Sequence, residues 1–98
     1  MGKAKEEFYK LDSRTRENLL METAMRIQEV FDEMWFAHHL DPDKIDATDT
    51  MERLIIFRDW AREFEEKYHG TDDYEDDFIW LSEEYATEKI KERFGKEG

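Results

Sequence analysis

Apolar residues recur at intervals of three and four positions between Leu54 and Tyr68, and this spacing constrains the fold more than any other feature. At 3.6 residues per turn such positions lie on one face of an α-helix, and the alternation of threes and fours is typical of antiparallel helix bundles. We therefore predict a helix over about residues 48–69. Its predicted core residues are Leu54, Phe57, Ala61 and Phe64.

Two further helices follow from similar spacing and from capping signals. Asp12 or Ser13 can cap a first helix whose apolar residues share one broad arc. Asp72, with Glu75 three positions later, fits the acidic form of a capping box and begins a third helix. Gly70 lies between helices two and three, where it can adopt the left-handed conformation that ends a helix. The predicted fold is an all-α, up-down-up antiparallel three-helix bundle, with helices at about residues 13–39, 48–69 and 72–94.

The third predicted helix carries two apolar faces. The early face is formed by Tyr74, Phe78, Leu81 and Tyr85. The later apolar positions lie about 120° round the helix from that face, and they are Ile79, Ala86, Ile90 and Phe94. We therefore expect the two halves of this helix to pack against different surroundings.

The chain has 98 residues, which is room for one domain, and we expect that domain over residues 11–95. Aromatic residues make up 14% of the sequence, so a chain of this size can still bury a substantial core. Residues 1–10 are predicted to be a flexible lead-in, with Phe8 as the residue best suited to dock it. Asp41 followed by Pro42 signals a helix start, so a short helical turn is expected over Pro42–Asp46.

The sequence contains 27 acidic and 15 basic residues, which give a net charge of −12. A field of this sign repels phosphate backbones, so direct nucleic-acid binding is disfavoured, and it attracts basic protein surfaces. The apolar run Leu54–Phe57 is far shorter than the roughly 20 residues of a membrane span, so no membrane partner is expected. The absence of cysteine removes disulfides, thiolate metal sites and thiol nucleophiles. We expect a cytoplasmic protein.

The segment Asp41–Glu52 partly matches a calcium-binding loop. Counted as such a loop, it places carboxylates at four of the ligand positions, and these candidate ligands are Asp41, Asp43, Asp49 and Glu52. However, Ile45 occupies another ligand position, Asp46 stands where the turn requires Gly, and Pro42 restricts the backbone. An acid-capped linker between helices is the favoured interpretation, and a metal site is the lesser alternative.

No sequence pattern marks a catalytic centre. Carboxylate pairs at helical spacing, such as Glu63 with Glu66, lie on polar faces, whereas acid–base catalysis needs a carboxyl group desolvated in a cleft. The sequence shows neither a Ser-His-Asp pattern nor a Gly-rich phosphate loop. We expect no enzymatic activity and no cofactor.

Two groups of residues are candidates for partner binding. The first is an acidic face on helix three, where Trp80 either anchors a partner or packs on a neighbouring helix; its members are Asp72, Asp73, Asp76, Asp77, Trp80 and Glu84. The second is a thin apolar stripe on the polar side of helix one, which is either a second packing seam or the interface of a homodimer or another partner. It consists of Met21, Met25 and Phe36.

These features favour a non-enzymatic, acidic protein-binding module that occupies a basic, nucleic-acid-binding groove of a partner protein. Small acidic helical proteins of this build recur among phage and mobile-element inhibitors that imitate the charge of nucleic acid, an analogy that rests on composition alone. The alternative is a structural or self-associating helical domain whose acidity serves solubility.

Overall fold

The computed structural model describes residues 2–96, which contain five helices. In chain order they are α1 (Lys3–Lys10), α2 (Ser13–Phe36), α3 (Pro42–Asp46), α4 (Thr50–Tyr68) and α5 (Asp72–Phe94). The three long helices, α2, α4 and α5, contact one another, while α1 packs on α4 and α3 packs on α5.

The all-α prediction is confirmed, since residues 2–96 contain no strand and only an isolated bridge between Leu40 and Gly95. The predicted up-down-up three-helix bundle is not confirmed, because the described chain forms five helices. The three long helices nevertheless lie within a few residues of the predicted ranges, and the short turn expected at Pro42–Asp46 is α3. Of the helices described, none is long and apolar enough to cross a membrane.

Carboxylate caps explain where three of the helices begin. Asp12, Asp41 and Asp49 accept hydrogen bonds from backbone N–H groups in the first turns of α2, α3 and α4, at 2.8, 3.0 and 2.8 Å. A cap of this kind contributes about 0.5–2 kcal/mol because it satisfies a backbone donor that the helix leaves unpaired. These starts follow from local sequence alone.

The turn between α4 and α5 confirms one prediction and corrects another. Gly70 has a φ of 75°, the left-handed conformation expected for it. Asp72 does not cap α5, because the hydroxyl of Thr71 accepts the hydrogen bond from the Tyr74 N–H at 3.2 Å. Thr71 takes the cap position, so Asp72 becomes the first residue inside the helix.

Three of the four predicted core residues of α4 are fully buried: Phe57, Ala61 and Phe64. The prediction for Leu54 is wrong, since 47% of it is exposed. Leu54 lies on the inward side of α4 by spacing, but it faces a groove between α2 and α4 that no α5 residue lines. The rest of the buried apolar core comes mainly from α2 and α5, through Leu20, Ile27, Val30, Phe31, Met34, Ala86, Ile90 and Phe94.

The backbone of α5 is broken near its start, within the stretch that carries the early apolar face. Asp77 has a non-helical backbone, with φ of −136° and ψ of 42°. Before and at this break, the rings of Tyr74 and Phe78 contact Phe64. After it, Ile90 and other later residues enter the main core. Ile79 does not join the later apolar face in the core, since 60% of it is exposed.

In place of the expected flexible lead-in, residues Lys3–Lys10 form α1. Phe8 is 1% exposed, and its ring centroid lies 5.8 Å from that of His69 at the end of α4. The neighbouring Tyr9 hydroxyl donates a hydrogen bond to Glu66. Helix α1 therefore covers the end of α4, with Phe8 as its anchor.

We expect Phe57→Ala to lower the free energy of unfolding by about 3–5 kcal/mol, because it leaves a cavity in a fully enclosed site. The Phe57 ring contacts Phe31 at 5.4 Å and Trp60 at 5.6 Å between centroids. Urea unfolding followed by circular dichroism measures the change. Ile79→Ala on the exposed side of α5 is the matched control, with an expected change within about 0.5 kcal/mol. A loss of that small size at Phe57 would contradict the packing described.

Candidate functional site

The six residues of the predicted acidic face lie on α5, and all six are exposed; they are Asp72, Asp73, Asp76, Asp77, Trp80 and Glu84. The side chain of Trp80 does not pack on a neighbouring helix, because the residue is 63% exposed. It lines a shallow depression of about 420 Å³ together with Glu83, Glu84, Thr87, Glu88 and Lys91. An aromatic ring therefore lies in solvent beside several carboxylates.

A larger cleft between α4 and α5, of about 600 Å³, extends this acidic surface. Two lysines and two tyrosines contribute to its walls, but carboxylates predominate; they are Glu63 and Glu66 from α4 and Glu84, Glu88 and Glu92 from α5. Glu84 and Glu88 line both depressions, so the surroundings of Trp80 continue into the cleft. Four-residue spacing in the sequence places the α5 acids on one face. The contribution of α4 depends on helix packing, which spacing does not reveal.

The four aspartates at the start of α5 lie outside both depressions. The helix dipole stabilises negative charge in the first turn, which accounts for Asp72 and Asp73. Asp76 and Asp77 lie beyond that turn, so capping and the dipole do not require them. Within residues 2–96 none of the four forms an ion pair with a basic side chain. Their charges therefore face solvent without a neighbouring basic side chain in the described chain to compensate them.

The structure divides the predicted apolar stripe. Met21 and Met25 line a groove of about 390 Å³ between α2 and α4. Phe36 lies outside this groove and is 78% exposed at the end of α2. The remaining groove residues are Leu20, Ala24, Gln28, Met51, Leu54, Ile55 and Arg58. Sequence spacing does not reveal Met51 and Ile55 as neighbours of Met21, because this proximity depends on how α2 crosses α4.

The four candidate ligands of the alternative calcium site are not assembled around one point. Asp41 and Asp49 cap helices, and the N–H groups that they bind belong to Asp43 and Glu52. Residues Pro42–Asp46 are helical where a calcium-binding loop would be open. In the described part of the chain, no group of three or more His, Asp or Glu side chains is placed to hold a metal ion. The segment is an acid-capped linker.

The carboxylate of Glu65, which no sequence pattern marks, is fully buried between helices. Thr23 of α2 donates a hydrogen bond to its Oε2 at 3.0 Å, and Tyr74 of α5 donates to its Oε1 at 2.9 Å. His69 Nδ1 lies 3.0 Å from the same Oε1. Burial raises the pKa of Glu65 because the charged form loses its hydration, and the hydrogen bonds oppose this rise. Burial and the nearby Glu65 charge also raise the pKa of Tyr74.

The raised pKa of Glu65 is typical of a general acid or base, but its carboxyl group lacks the access to a substrate that catalysis requires. Its side chain is enclosed by three helices and both oxygens are hydrogen-bonded, so a substrate cannot approach within reach of the proton. The hydrogen bonds of Glu65 join α2, α4 and α5 at one point. A similar contact lies at the cleft, where Tyr85 donates to Glu63 at 3.1 Å. Burial, followed by the charge of Glu63, raises the pKa of Tyr85.

We expect Glu65→Gln to change the pH dependence of stability in one direction. The pKa of Glu65 is higher in the folded chain than its ordinary value of 4.5, so the folded state holds this proton more tightly. The resulting stabilisation is complete below the ordinary pKa and is lost as the pH rises through the folded pKa. Glutamine has no charge to bury, so the variant should gain stability relative to the parent as the pH rises from the ordinary pKa of 4.5 towards neutrality.

Urea midpoints of parent and variant across that range test this expectation, with the exposed Glu33→Gln as the matched control. Glu33 has no buried charge, so its variant should track the parent at every pH. A constant offset between parent and Glu65→Gln would show that the buried carboxylate carries no pH-dependent cost.

Comparisons with known proteins identified no relative of this chain. No protein-family model, no curated protein and no solved structure matches this chain. A functional assignment therefore rests on the geometry and charge of its own residues.

Proposed function

We propose that this chain is a non-enzymatic protein-binding module that inhibits a partner protein by occupying its basic, nucleic-acid-binding groove. The observation that supports this most is the 63% exposed Trp80 on an acidic surface that runs into the α4–α5 cleft. Exposed aromatic rings are enriched among the residues that dominate binding energy at interfaces. Carboxylates around such a ring complement a positively charged groove.

The charges and the ring contribute to different stages of binding. Exposed ion pairs contribute only about 0–1 kcal/mol each, because water and salt screen them. Their combined field instead raises the rate at which a basic partner is encountered. The Trp80 ring loses contact with water only in the complex, so it contributes mainly to how slowly the partner dissociates. Neither the carboxylates nor the Trp80 ring alone provides both fast association and slow dissociation.

The arrangement of the acids favours a phosphate-binding groove as the target. Glu84, Glu88 and Glu92 follow at four-residue intervals, which are about 6 Å apart along a rigid helix axis. A groove built to neutralise phosphates accepts an ordered row of negative charges. Glu63 and Glu66 provide a second row across the cleft. An origin among phage or mobile-element inhibitors belongs to the same proposal, by analogy of composition and charge.

The competing function is a structural or self-associating helical domain whose acidity keeps it soluble. On that account, the acidic face can change without affecting any interaction. Charge alone does not distinguish the two functions, because both need a negative surface. The role of Trp80 does distinguish them, because solubility gives no reason to expose a large aromatic ring.

We expect charge reversal and ring truncation to affect binding kinetics differently. Asp76→Lys and Glu84→Lys should slow association and flatten its salt dependence, whereas Trp80→Ala should mainly speed dissociation. Asp77 is left unchanged because α5 breaks there. Surface plasmon resonance against a partner captured from host lysate, at about 50–500 mM NaCl, measures both rates. Glu33→Lys is the matched control, since it changes net charge equally on α2, a helix that lines neither acidic depression.

Competition by duplex DNA tests the groove itself. DNA should displace the chain from its partner, because the two would occupy one site. If all three acidic-face variants keep their helicity and bind as the parent does, this face is not the binding surface. The acidity would then serve solubility.

A further inference from the structure

The groove between α2 and α4 is an apolar surface that the described fold leaves uncovered. Met21 and Met25 of α2 are 59% and 62% exposed. Met51, Leu54 and Ile55 of α4 are 67%, 47% and 59% exposed. Five large apolar side chains thus meet solvent together in one concave site, whereas single exposed apolar residues are ordinary on protein surfaces.

The area of this surface is enough for a second copy of the chain. With a full accessible area of about 200 Å² for each residue, the five exposed fractions amount to roughly 600 Å². That is at the upper end for the largest apolar patch of a monomer, about 300–600 Å². Two such patches facing each other would bury about 1,200 Å², the lower bound of stable interfaces before any rim contact is added.

The residues that line the groove favour a second copy over a basic partner helix. None of the nine groove residues is acidic, although the chain contains 27 acids. Arg58 is the one charged residue among them, and it pairs with Glu17. Two copies can therefore meet here without burying an uncompensated carboxylate. A basic helix would find no carboxylate in the groove to pair with.

We propose that the α2–α4 groove is the interface of a homodimer related by a two-fold axis. The two helices run in opposite directions, since Thr23 contacts Glu65 and Phe31 contacts Phe57. Two such pairs packed face to face make a four-helix bundle, the common way for antiparallel helices to bury an exposed stripe. Flexible methionine side chains suit this contact because they fill irregular gaps. The inference goes beyond the proposed function, since the acidic face takes no part.

Light scattering and sedimentation equilibrium test the dimer directly. The parent should approach twice its mass of 12.0 kDa at concentrations up to about 0.5 mM, where a dimer of micromolar Kd is almost fully formed. The double variant Met25→Lys, Ile55→Lys should remain monomeric with unchanged helicity. Phe36→Lys is the control for an added lysine, because it places one positive charge on an exposed α2 residue outside the groove and should leave the dimer intact. A monomeric parent, or a double variant that still dimerises, overturns the proposal.

Salt separates this interface from the acidic one. Each chain carries −12, so repulsion opposes dimerisation and screening removes it. Raising NaCl from about 50 to about 500 mM should therefore lower the dimer Kd several-fold, whereas docking of the acidic face to a basic partner should weaken. A dimer that dissociates as salt rises would contradict an apolar interface.

A spin-label experiment keeps the proposal testable even if the double variant fails to fold. The chain has no cysteine, so Glu29→Cys accepts a nitroxide at a single site, one turn beyond Met25 on the same helix face. Mixed with nitrogen-15-labelled parent, this label should broaden the amide signals of Met51–Ile55 in the other copy. Broadening confined to α5, or no broadening at concentrations where the parent is dimeric, overturns the placement of the interface.

Discussion

The orientation of α5 depends on its contacts with the ring of Phe64. Four rings surround this fully buried side chain at centroid distances of 5.1–6.0 Å, those of Tyr68, Tyr74, Phe78 and Tyr85. Three of them belong to α5, so their packing fixes the rotation of that helix. Trp80 follows Phe78 by two residues, about 200° round the helix, so a packed Phe78 holds Trp80 in solvent. Exposure of the candidate anchor is thus a consequence of how the core is packed.

Local sequence predicts those parts of the fold that depend on adjacent residues or on repeated spacing. Asp12, Asp41 and Asp49 each lie beside the N–H groups that they cap, so these helix starts are readable from sequence. Thr71 and Asp72 are neighbouring candidates for one cap, and sequence alone does not choose between them. Spacing places Leu54 on the face of α4 that carries the buried Phe57, but not whether another helix covers it.

The parts of the fold that depend on contacts between distant residues are not predictable from local sequence or spacing. Helix α1 has one buried residue, Phe8, and a single apolar anchor produces no periodicity. Glu65 lies in a charged stretch of α4 and resembles a surface residue, yet Thr23, 42 positions away, hydrogen-bonds to it. For the same reason, spacing left open whether Trp80 packs on a neighbouring helix, and the α4–α5 cleft was not predictable from it. Nor was the pairing of Met21 with Met51, because both require the packing of two helices to be known.

The two proposed surfaces can act in one assembly because they share no residue. The groove is lined by α2 and α4, and the acidic cleft by α4 and α5, with Leu54 and Arg58 among the groove residues of α4 and Glu63 among those of the cleft. A dimer formed through the groove would therefore present two acidic faces, each with its own Trp80. A partner with two basic grooves would then bind with increased avidity, because its second contact is intramolecular. Salt acts on the two steps in opposite directions, since it screens repulsion between copies and attraction to the partner alike. Both contacts therefore coexist only within a range of ionic strength. The width of that range depends on how much of the free energy of dimerisation comes from burial of the apolar groove.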